Sequence, residues 1–271
     1  MVRFFGTILG TLALLASHAF AEEIHLAARK GDVAAIEKLL GEGIPVDLPS
    51  TRNTSLPGMS ALYVAAQFGR FEAAQALLSA GADPTMRPTG ENTDGTPMHM
   101  AARGGKIEIV VMFLDHGVDP NIYDRWLGTP LHQARLNENE ELATLLISRG
   151  AVTEWQAPSI VELIANADVE NGRAIAKGCA TICHSITAED HERSLWNILG
   201  AQKASRPGYD YSKAFASLEG NWTYADLNSF IASPSRFAPG SRMPYSLQDD
   251  VKRADLIAYL RSLSDNPLPI P

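Results

Sequence analysis

Cysteine is nearly absent from this sequence: Cys179 and Cys183 are the only two in 271 residues. So few thiols exclude a scaffold held together by several disulfides. Both lie in the stretch GCATICHSI, residues 178–186, and His184 follows the second one directly. Two thiols beside a histidine are compatible with a single disulfide, a metal site or the attachment segment of a haem.

Long apolar runs are also lacking. The longest, Phe4–Ala16, is about thirteen residues, short of the roughly twenty that span a bilayer. It follows Arg3 and precedes AFA at 19–21, the small-x-small pattern that signal peptidases accept. The sequence therefore predicts a secretory signal peptide at 1–21, and an uncleaved membrane anchor is the less favoured alternative. We expect a mature periplasmic protein that begins near Glu22 and has no membrane span.

Basic residues are in the minority, with 23 Lys and Arg against 31 Asp and Glu and a net charge of -8. Such an acidic chain repels phosphate backbones, so nucleic acid is not expected as a partner. The imbalance is concentrated in residues 22–166, which hold 11 basic and 19 acidic residues, whereas residues 167–271 hold 11 and 12. The acidic part is either an ordinary solvated surface or a face that docks a basic partner.

A repeated ten-residue pattern organises the first part of the chain. The copies are EIHLAARKGD at 23–32, SALYVAAQFG at 60–69, TPMHMAARGG at 96–105 and TPLHQARLNE at 129–138. Each is followed by a second apolar segment and then a glycine, namely Gly43, Gly81, Gly117 and Gly150. The pattern predicts helix-turn-helix units, because threonine caps helices, proline is tolerated at their first position and glycine permits the positive φ that ends them.

Residues 22–153 thus resemble about four ankyrin repeats. The resemblance implies an all-α solenoid whose surface binds other proteins. It also implies that His25, His99 and His132 are structural residues that hydrogen-bond a turn, with metal binding as the less favoured alternative.

Three segments beside the repeats are irregular. The loops at 48–58 and 84–95 are longer than the ankyrin norm, and they are either recognition elements or tolerated insertions. Residues 154–166 predict a linker with a short helix, for which Ser159 and Glu162 form a capping-box signal. We expect this helix to cover the apolar end of the repeat stack.

The second part of the chain, residues 167–265, resembles the small soluble class I cytochromes c of mitochondria and bacterial periplasms. Four elements carry the resemblance, in the family's order. They are Gly172 on a first helix, at the family's spacing of twelve residues between the helix-packing glycine and His184, the loop at 195–215, the tryptophan, helix and Pro-Gly-x-x-Met turn at 221–245, and the terminal helix at 252–263, which crosses the first. The resemblance implies a small all-α domain after the solenoid, with a tail at 266–271.

The same resemblance implies one covalently bound haem c and assigns seven residues to it: Cys179, Cys183, His184, Met243, Tyr209, Trp222 and Ser241. The thiols would form thioethers, His184 and Met243 would ligate the iron, and the other three would donate to a haem propionate. Ile198, Leu199 and Phe237 would wall the ring. The residues agree with this assignment, since two thiols, an imidazole and a thioether suit iron better than zinc. Met243 is also the only methionine after Met112.

Three features depart from the family's pattern. Three residues separate the cysteines instead of two, Arg193-Ser194 replaces Gly-Pro, and the run Ala201-Gln202-Lys203 replaces an arginine near a propionate. On a helix, thiols at i and i+4 share one face, so two thioethers remain feasible. A single thioether through Cys183 and a Cys179–Cys183 disulfide without haem are the alternatives.

A histidine and a methionine together leave iron no vacant coordination position, so such a site passes one electron and binds no substrate. The sequence therefore predicts an exported electron carrier, not an enzyme, that meets redox protein partners at its haem edge. One alternative is an ankyrin scaffold whose haem senses redox state or serves structure. The other is a subunit of a larger haem enzyme, in which Met243 would have to dissociate.

Overall fold

The computed structural model describes residues 22–51, 57–89, 95–180, 184–187 and 194–271. Within these ranges the regular secondary structure is helical, apart from three isolated β-bridges, and the predicted all-α fold class is confirmed. None of the helices in these ranges is both long enough and apolar enough to cross a membrane. The chain divides into two compact units, residues 1–150 and 151–271. The predicted signal peptide lies outside the described residues.

The first unit is built from four helix pairs, as the repeat pattern predicts. In chain order these are α1 (22–30) with α2 (Val33–Gly41), α3 (Ala61–Gln67) with α4 (Phe71–Ser79), α5 (Pro97–Arg103) with α6 (Ile107–Asp115), and α7 (Pro130–Leu136) with α8 (Glu140–Ser148). Helix α5 packs against both α3 and α7, so the first helices of successive pairs form a stack.

Local chemistry accounts for where these helices begin and end. The Thr129 hydroxyl accepts a hydrogen bond from the His132 backbone N–H at 3.1 Å, and Pro130 occupies the first position of α7. The second helices are followed by glycines in the left-handed region, with φ values of 91° at Gly43, 90° at Gly81, 81° at Gly117 and 94° at Gly150. The predicted glycine ends are therefore confirmed.

Two of the repeat histidines connect one repeat to the next. Nε2 lies 2.7 Å from the Met59 carbonyl oxygen in His25, and 3.1 Å from the Gly128 carbonyl oxygen in His99. Nδ1 of His99 also accepts a hydrogen bond from the backbone N–H of Thr96 at 3.1 Å. The ring of His99 thus bridges the start of its own helix and the turn of the following repeat, as the ankyrin resemblance implies.

Mild acid is expected to destabilise the first unit through two buried imidazoles. Burial lowers the pKa of both His99 and His132 from 6.5 to about 4. Unfolding exposes the rings to protonation, so their contribution to stability is complete above about pH 6.5. It is lost as the pH falls toward about 4, by up to about 3 kcal/mol for each ring. Urea unfolding of the first unit at several pH values in this window measures the effect.

The exposed His116 provides the control for this prediction. A His99→Gln variant should be less stable at neutral pH and should lose part of the pH dependence, whereas His116→Gln replaces an exposed histidine and controls for the substitution itself. A free energy of unfolding that stays constant between about pH 6.5 and 4.5 in the unmodified protein would contradict the prediction.

The long loop before α5, residues 84–95, is anchored to the buried residue Asp124 of the next repeat. The Arg87 guanidinium lies 2.7 Å from the carboxylate of Asp124, a residue that is 2% exposed. The same carboxylate accepts a hydrogen bond from the Gly95 N–H at 2.9 Å. The centres of the two long loops, residues 52–56 and 90–94, lie outside the described residues, so neither reading of those loops is tested.

The second unit contains six helices in the described residues. They are α9 (Val161–Ile164), α10 (Val169–Ala180), α11 (Lys213–Ala216), α12 (Tyr224–Ala232), α13 (Pro234–Phe237) and α14 (Asp250–Ser262). Helix α14 packs against α9, α10 and α12, so it forms the centre of this unit's core. It corresponds to the predicted terminal helix.

Helices α10 and α14 approach each other closely at Gly172. A Cβ atom at this position would lie 2.0 Å from the carbonyl oxygen of Asp255 and 2.9 Å from the Cβ of Tyr259. The buried Asp255 carboxylate accepts hydrogen bonds from the Asp168 N–H at 2.8 Å and from the Asn171 side chain at 2.7 Å, which ties the start of α10 to α14. The predicted helix-packing role of Gly172 is confirmed.

A Gly172→Ala substitution is expected to destabilise the second unit by about 3 kcal/mol, because the added methyl group meets backbone that cannot move without separating the helices. Gly178 lies on the same helix, and a Cβ there would meet nothing within 4 Å. Gly178→Ala should therefore be neutral or slightly stabilising. Denaturant unfolding measures the free energy of unfolding of both variants. Equal values would contradict the conclusion that α10 and α14 pack closely at Gly172.

Helix α9 belongs to the second unit. Its buried residue Ile164 and the preceding Ile160 pack in the core that includes Leu256 and Ile257. These two apolar side chains are therefore used in the core of the second unit. The expectation that the helix covers the end of the repeat stack stays a prediction. The predicted capping box does not form, because Ile160 and not Ser159 stands at the N-cap position. The Ser159 hydroxyl still accepts a hydrogen bond from the Val161 N–H, at 3.4 Å. The finer domain boundaries, 22–153, 154–166, 167–265 and 266–271, stay predictions.

Candidate functional site

A cavity of about 250 Å³ opens in the second unit. Most of its walls are aliphatic or aromatic, contributed by Ala176, Leu195, Ile198, Tyr211, Phe215, Trp222, Leu227, Phe230, Ile231, Leu256 and Leu260. His184 and Met243 belong to the same lining, although they are far apart in the chain. The fold therefore brings a histidine and a methionine to one apolar cavity.

Five of the seven predicted site residues line this cavity: His184, Tyr209, Trp222, Ser241 and Met243. Cys183 lies outside the described residues. Cys179 lies near the end of α10, but its side chain is likewise outside the description. The structure thus places five residues together, while the roles assigned to all seven stay predictions.

The segment that carries His184 is tied to the loop that begins at Ser194. The Leu195 N–H donates to the Ser185 carbonyl oxygen at 2.7 Å, and the Ser194 hydroxyl donates to the Thr187 carbonyl oxygen at 2.6 Å. Ser194 is 4% exposed. Since Ser194 stands where the family has proline, its hydroxyl provides a connection that a proline side chain cannot make.

The turn that carries Met243 is held from two sides. The Met243 N–H donates to the hydroxyl oxygen of Ser241 at 3.3 Å, and Ser241 itself is buried. The Arg242 guanidinium lies 3.0 Å from the carboxylate of Asp210, on the loop that carries Tyr209. This ion pair is exposed, so we expect it to contribute no more than about 1 kcal/mol.

Trp222 is the most enclosed aromatic residue of the cavity wall, at 4% exposure. Its ring centroid lies 5.4 to 5.9 Å from those of Phe215, Phe230 and Phe237. Within the described part of the chain, no group accepts a hydrogen bond from its indole N–H.

Of the three residues predicted to wall the ring, one lines the cavity. Ile198 lines the cavity, but Leu199 and Phe237 are absent from its lining and are buried in the core. Tyr211 and Arg206 are among the lining residues that sequence reasoning missed. The backbone N–H of Arg206 donates to the Tyr211 hydroxyl at 3.1 Å. The Tyr-Asp-Tyr pattern at 209–211 was a usable signal, since alternate residues of an extended loop can face the same side.

The donor set of the cavity fits a haem. Imidazole and thioether are axial ligands that haem iron accepts, and apolar and aromatic walls suit the faces of a porphyrin ring. The indole N–H of Trp222 and the hydroxyl of Tyr209 supply polar groups suited to the ring's carboxylates.

Comparison with known proteins finds relatives of two kinds, ankyrin repeats and cytochromes c. Models of ankyrin repeats match residues 22–88 and 83–134. A cytochrome c homolog of Bradyrhizobium diazoefficiens is 41% identical over 127 residues, which cover 45% of this chain and 68% of that protein. A cytochrome c homolog of Rickettsia bellii is 38% identical over 128 residues, which cover 45% of this chain and 72% of that protein.

The chain belongs to the cytochrome c family. A cytochrome c2 of Rhodomicrobium vannielii is also similar, at 32% identity over 115 residues that cover 41% of this chain and 88% of that protein. The predicted fusion of ankyrin repeats with a cytochrome c domain is therefore confirmed. The cavity described above lies in the cytochrome c part of the fusion.

Proposed function

We propose that this protein is an exported one-electron carrier, with one haem c attached through Cys179 and Cys183 and with His184 and Met243 as the iron ligands. The observation that carries the proposal is that His184 and Met243 line one apolar cavity. Membership of the cytochrome c family supports the same cofactor. When bound there, the haem would supply reversible one-electron redox chemistry.

The chain's own residues would bind the haem and set its reduction potential. His184 and Met243 would hold the iron, and the soft thioether of Met243 would favour its ferrous state. The indole N–H of Trp222 and the hydroxyl of Tyr209 would donate hydrogen bonds to the carboxylates of the haem. The apolar walls would exclude water, which keeps the local dielectric constant low and raises the reduction potential.

Attachment requires both thiols in reduced form. Each thioether forms when a thiol adds across a haem vinyl group, with the sulfur bonding to one carbon and the hydrogen going to the other. No oxidant is consumed in this step. Export through the predicted signal peptide at 1–21 would bring the chain to the periplasm, where we propose that it works.

The visible spectrum of the reduced protein, recorded with and without carbon monoxide, tests the carrier function. A carrier whose iron is ligated by His184 and Met243 is low-spin and six-coordinate, so carbon monoxide should leave its spectrum unchanged. Ready binding of carbon monoxide would contradict a carrier with two permanent protein ligands, and would favour the subunit of a haem enzyme.

The ankyrin unit is expected to select the redox partner. Repeat stacks present an extended surface without chemistry of their own, and residues 22–166 carry most of the chain's excess negative charge. A basic partner would be steered to that surface at low salt, and the advantage would fade above about 0.15 M, where the screening length is roughly 8 Å. A second candidate function, a scaffold whose haem reports redox state, would use the same partner-binding surface.

Truncation to residues 151–271 behind the signal peptide measures this contribution. The truncated protein should be reduced more slowly by the native partner, and its rate should depend less on salt. A small neutral reductant should reduce both forms equally. Identical rates and salt dependences with the native partner would show that the repeats serve another purpose.

A further inference from the structure

Lys203 is an almost buried cation in the second unit, with a side chain that is 11% exposed. Its Nζ lies 3.2 Å from a carboxylate oxygen of Asp226, whose side chain is 14% exposed. The same oxygen of Asp226 accepts hydrogen bonds from the backbone N–H of Thr223 at 3.0 Å and from its hydroxyl at 2.7 Å. The carboxylate is therefore fixed at the start of α12, and it fixes the ammonium group in turn.

The ammonium group also contacts two aromatic rings. Nζ lies 5.7 Å from the ring centroid of Trp222 and 5.9 Å from that of Phe237, and these rings stack with centroids 5.8 Å apart. Trp222 lines the cavity, whereas Lys203 does not. The cation thus contacts a ring that also lines the cavity.

Backbone hydrogen bonds keep the two residues in register. The backbone N–H of Trp222 donates to the Ala201 carbonyl oxygen at 2.8 Å, and the backbone N–H of Lys203 donates to the Gly220 carbonyl oxygen at 3.0 Å. These bonds pair the segments on which Lys203 and Trp222 lie. These backbone hydrogen bonds therefore hold the Lys203 ammonium group and the Trp222 indole beside each other.

We propose that Lys203 is a positioning residue for Trp222. Held by Asp226, its ammonium group fixes the indole so that the N–H is presented to a carboxylate of the bound cofactor. The cation also withdraws electron density from the ring, which makes the N–H a stronger donor. This inference rests on the proposed haem function, since the carboxylate that it names belongs to the haem.

The test uses the full-length holoprotein in its reduced state, with the indole N–H of Trp222 assigned by comparison with a Trp222→Phe variant. Two quantities are measured: the rate at which the indole proton exchanges with deuterium oxide, and the midpoint potential. Lys203→Met keeps the length of the side chain and removes its charge. It should exchange about tenfold faster, equivalent to ~1.4 kcal/mol of lost restraint, and should have a lower potential.

Two further variants separate positioning from simple loss of charge. Lys203→Arg keeps the cation and should behave like the unmodified protein, while Lys252→Met removes an exposed charge from α14 and should change neither quantity. If Lys203→Met does not fold, Asp226→Asn leaves the lysine in place without its partner and should show the faster exchange.

The outcomes distinguish this inference from the proposed function. Unchanged indole exchange and potential in a haem-loaded Lys203→Met or Asp226→Asn variant would overturn the role of Lys203 and leave the carrier function standing. A lower unfolding free energy with both quantities unchanged would show that Lys203 is merely structural. Absence of haem from the unmodified protein would instead refute the proposed function.

Discussion

Exported Cys183→Ala protein is expected to lose nearly all covalently bound haem. Cys183 directly precedes His184 in the sequence, and its thiol takes part in both attachment schemes, with two thioethers or with one. Without it, the remaining thiol is Cys179, which lies one residue further from His184 than in the usual haem segment. Haem that survives denaturing electrophoresis, and the intact mass of the purified chain, measure the loss.

Cys179→Ala is the matched variant. If both thiols form thioethers, this change should lower the yield of holoprotein and shift its spectrum, because one vinyl group stays conjugated with the ring. A normal yield with an unshifted spectrum would indicate attachment through Cys183 alone. Full retention of covalent haem in both single variants would contradict the proposed attachment at these cysteines.

Met243→Ala is expected to keep the covalent haem and to open a coordination position on the iron. Met243 lines the cavity with His184, and the sequence contains no other methionine after Met112. Loss of a thioether that favours ferrous iron should lower the midpoint potential by on the order of 0.1 V, a fraction of the ~0.8 V range that axial ligands span. Carbon monoxide should then bind to the reduced protein.

Pro244→Ala provides the control for this variant. Pro244 is adjacent to Met243 and lines the same cavity, but it offers no ligand. Its replacement should leave carbon monoxide excluded and change the potential only slightly. If Met243→Ala keeps the spectrum and potential of the unmodified protein, Met243 is not the ligand, and another residue must be assigned.

The features that could be predicted from the sequence are those with a local or periodic cause. The ankyrin glycines and His99 recur at repeat spacing, and their contacts follow from where they stand in each unit. Gly172 could be predicted because its spacing from His184 matches the cytochrome family, and the structure shows the close approach that requires it.

The features that could not be predicted depend on tertiary packing. The helix at Val161–Ile164 has one short apolar face, and nothing in four residues indicates which core it joins. Leu199 and Phe237 resemble wall residues in sequence. Whether such a side chain faces the cavity or the core depends on the path of the loop at Leu199 and on the packing of the short helix α13, which ends at Phe237. The burial of Lys203 against Trp222 pairs two segments that are nineteen residues apart, which no local pattern indicates.

Intact mass combined with a pyridine haemochrome spectrum of the periplasmically expressed protein tests the central claim most directly. The account predicts a mature chain that begins near Glu22, exceeds the polypeptide mass by one haem, and gives a haemochrome band of the c type. A mature mass equal to that of the bare polypeptide would contradict it.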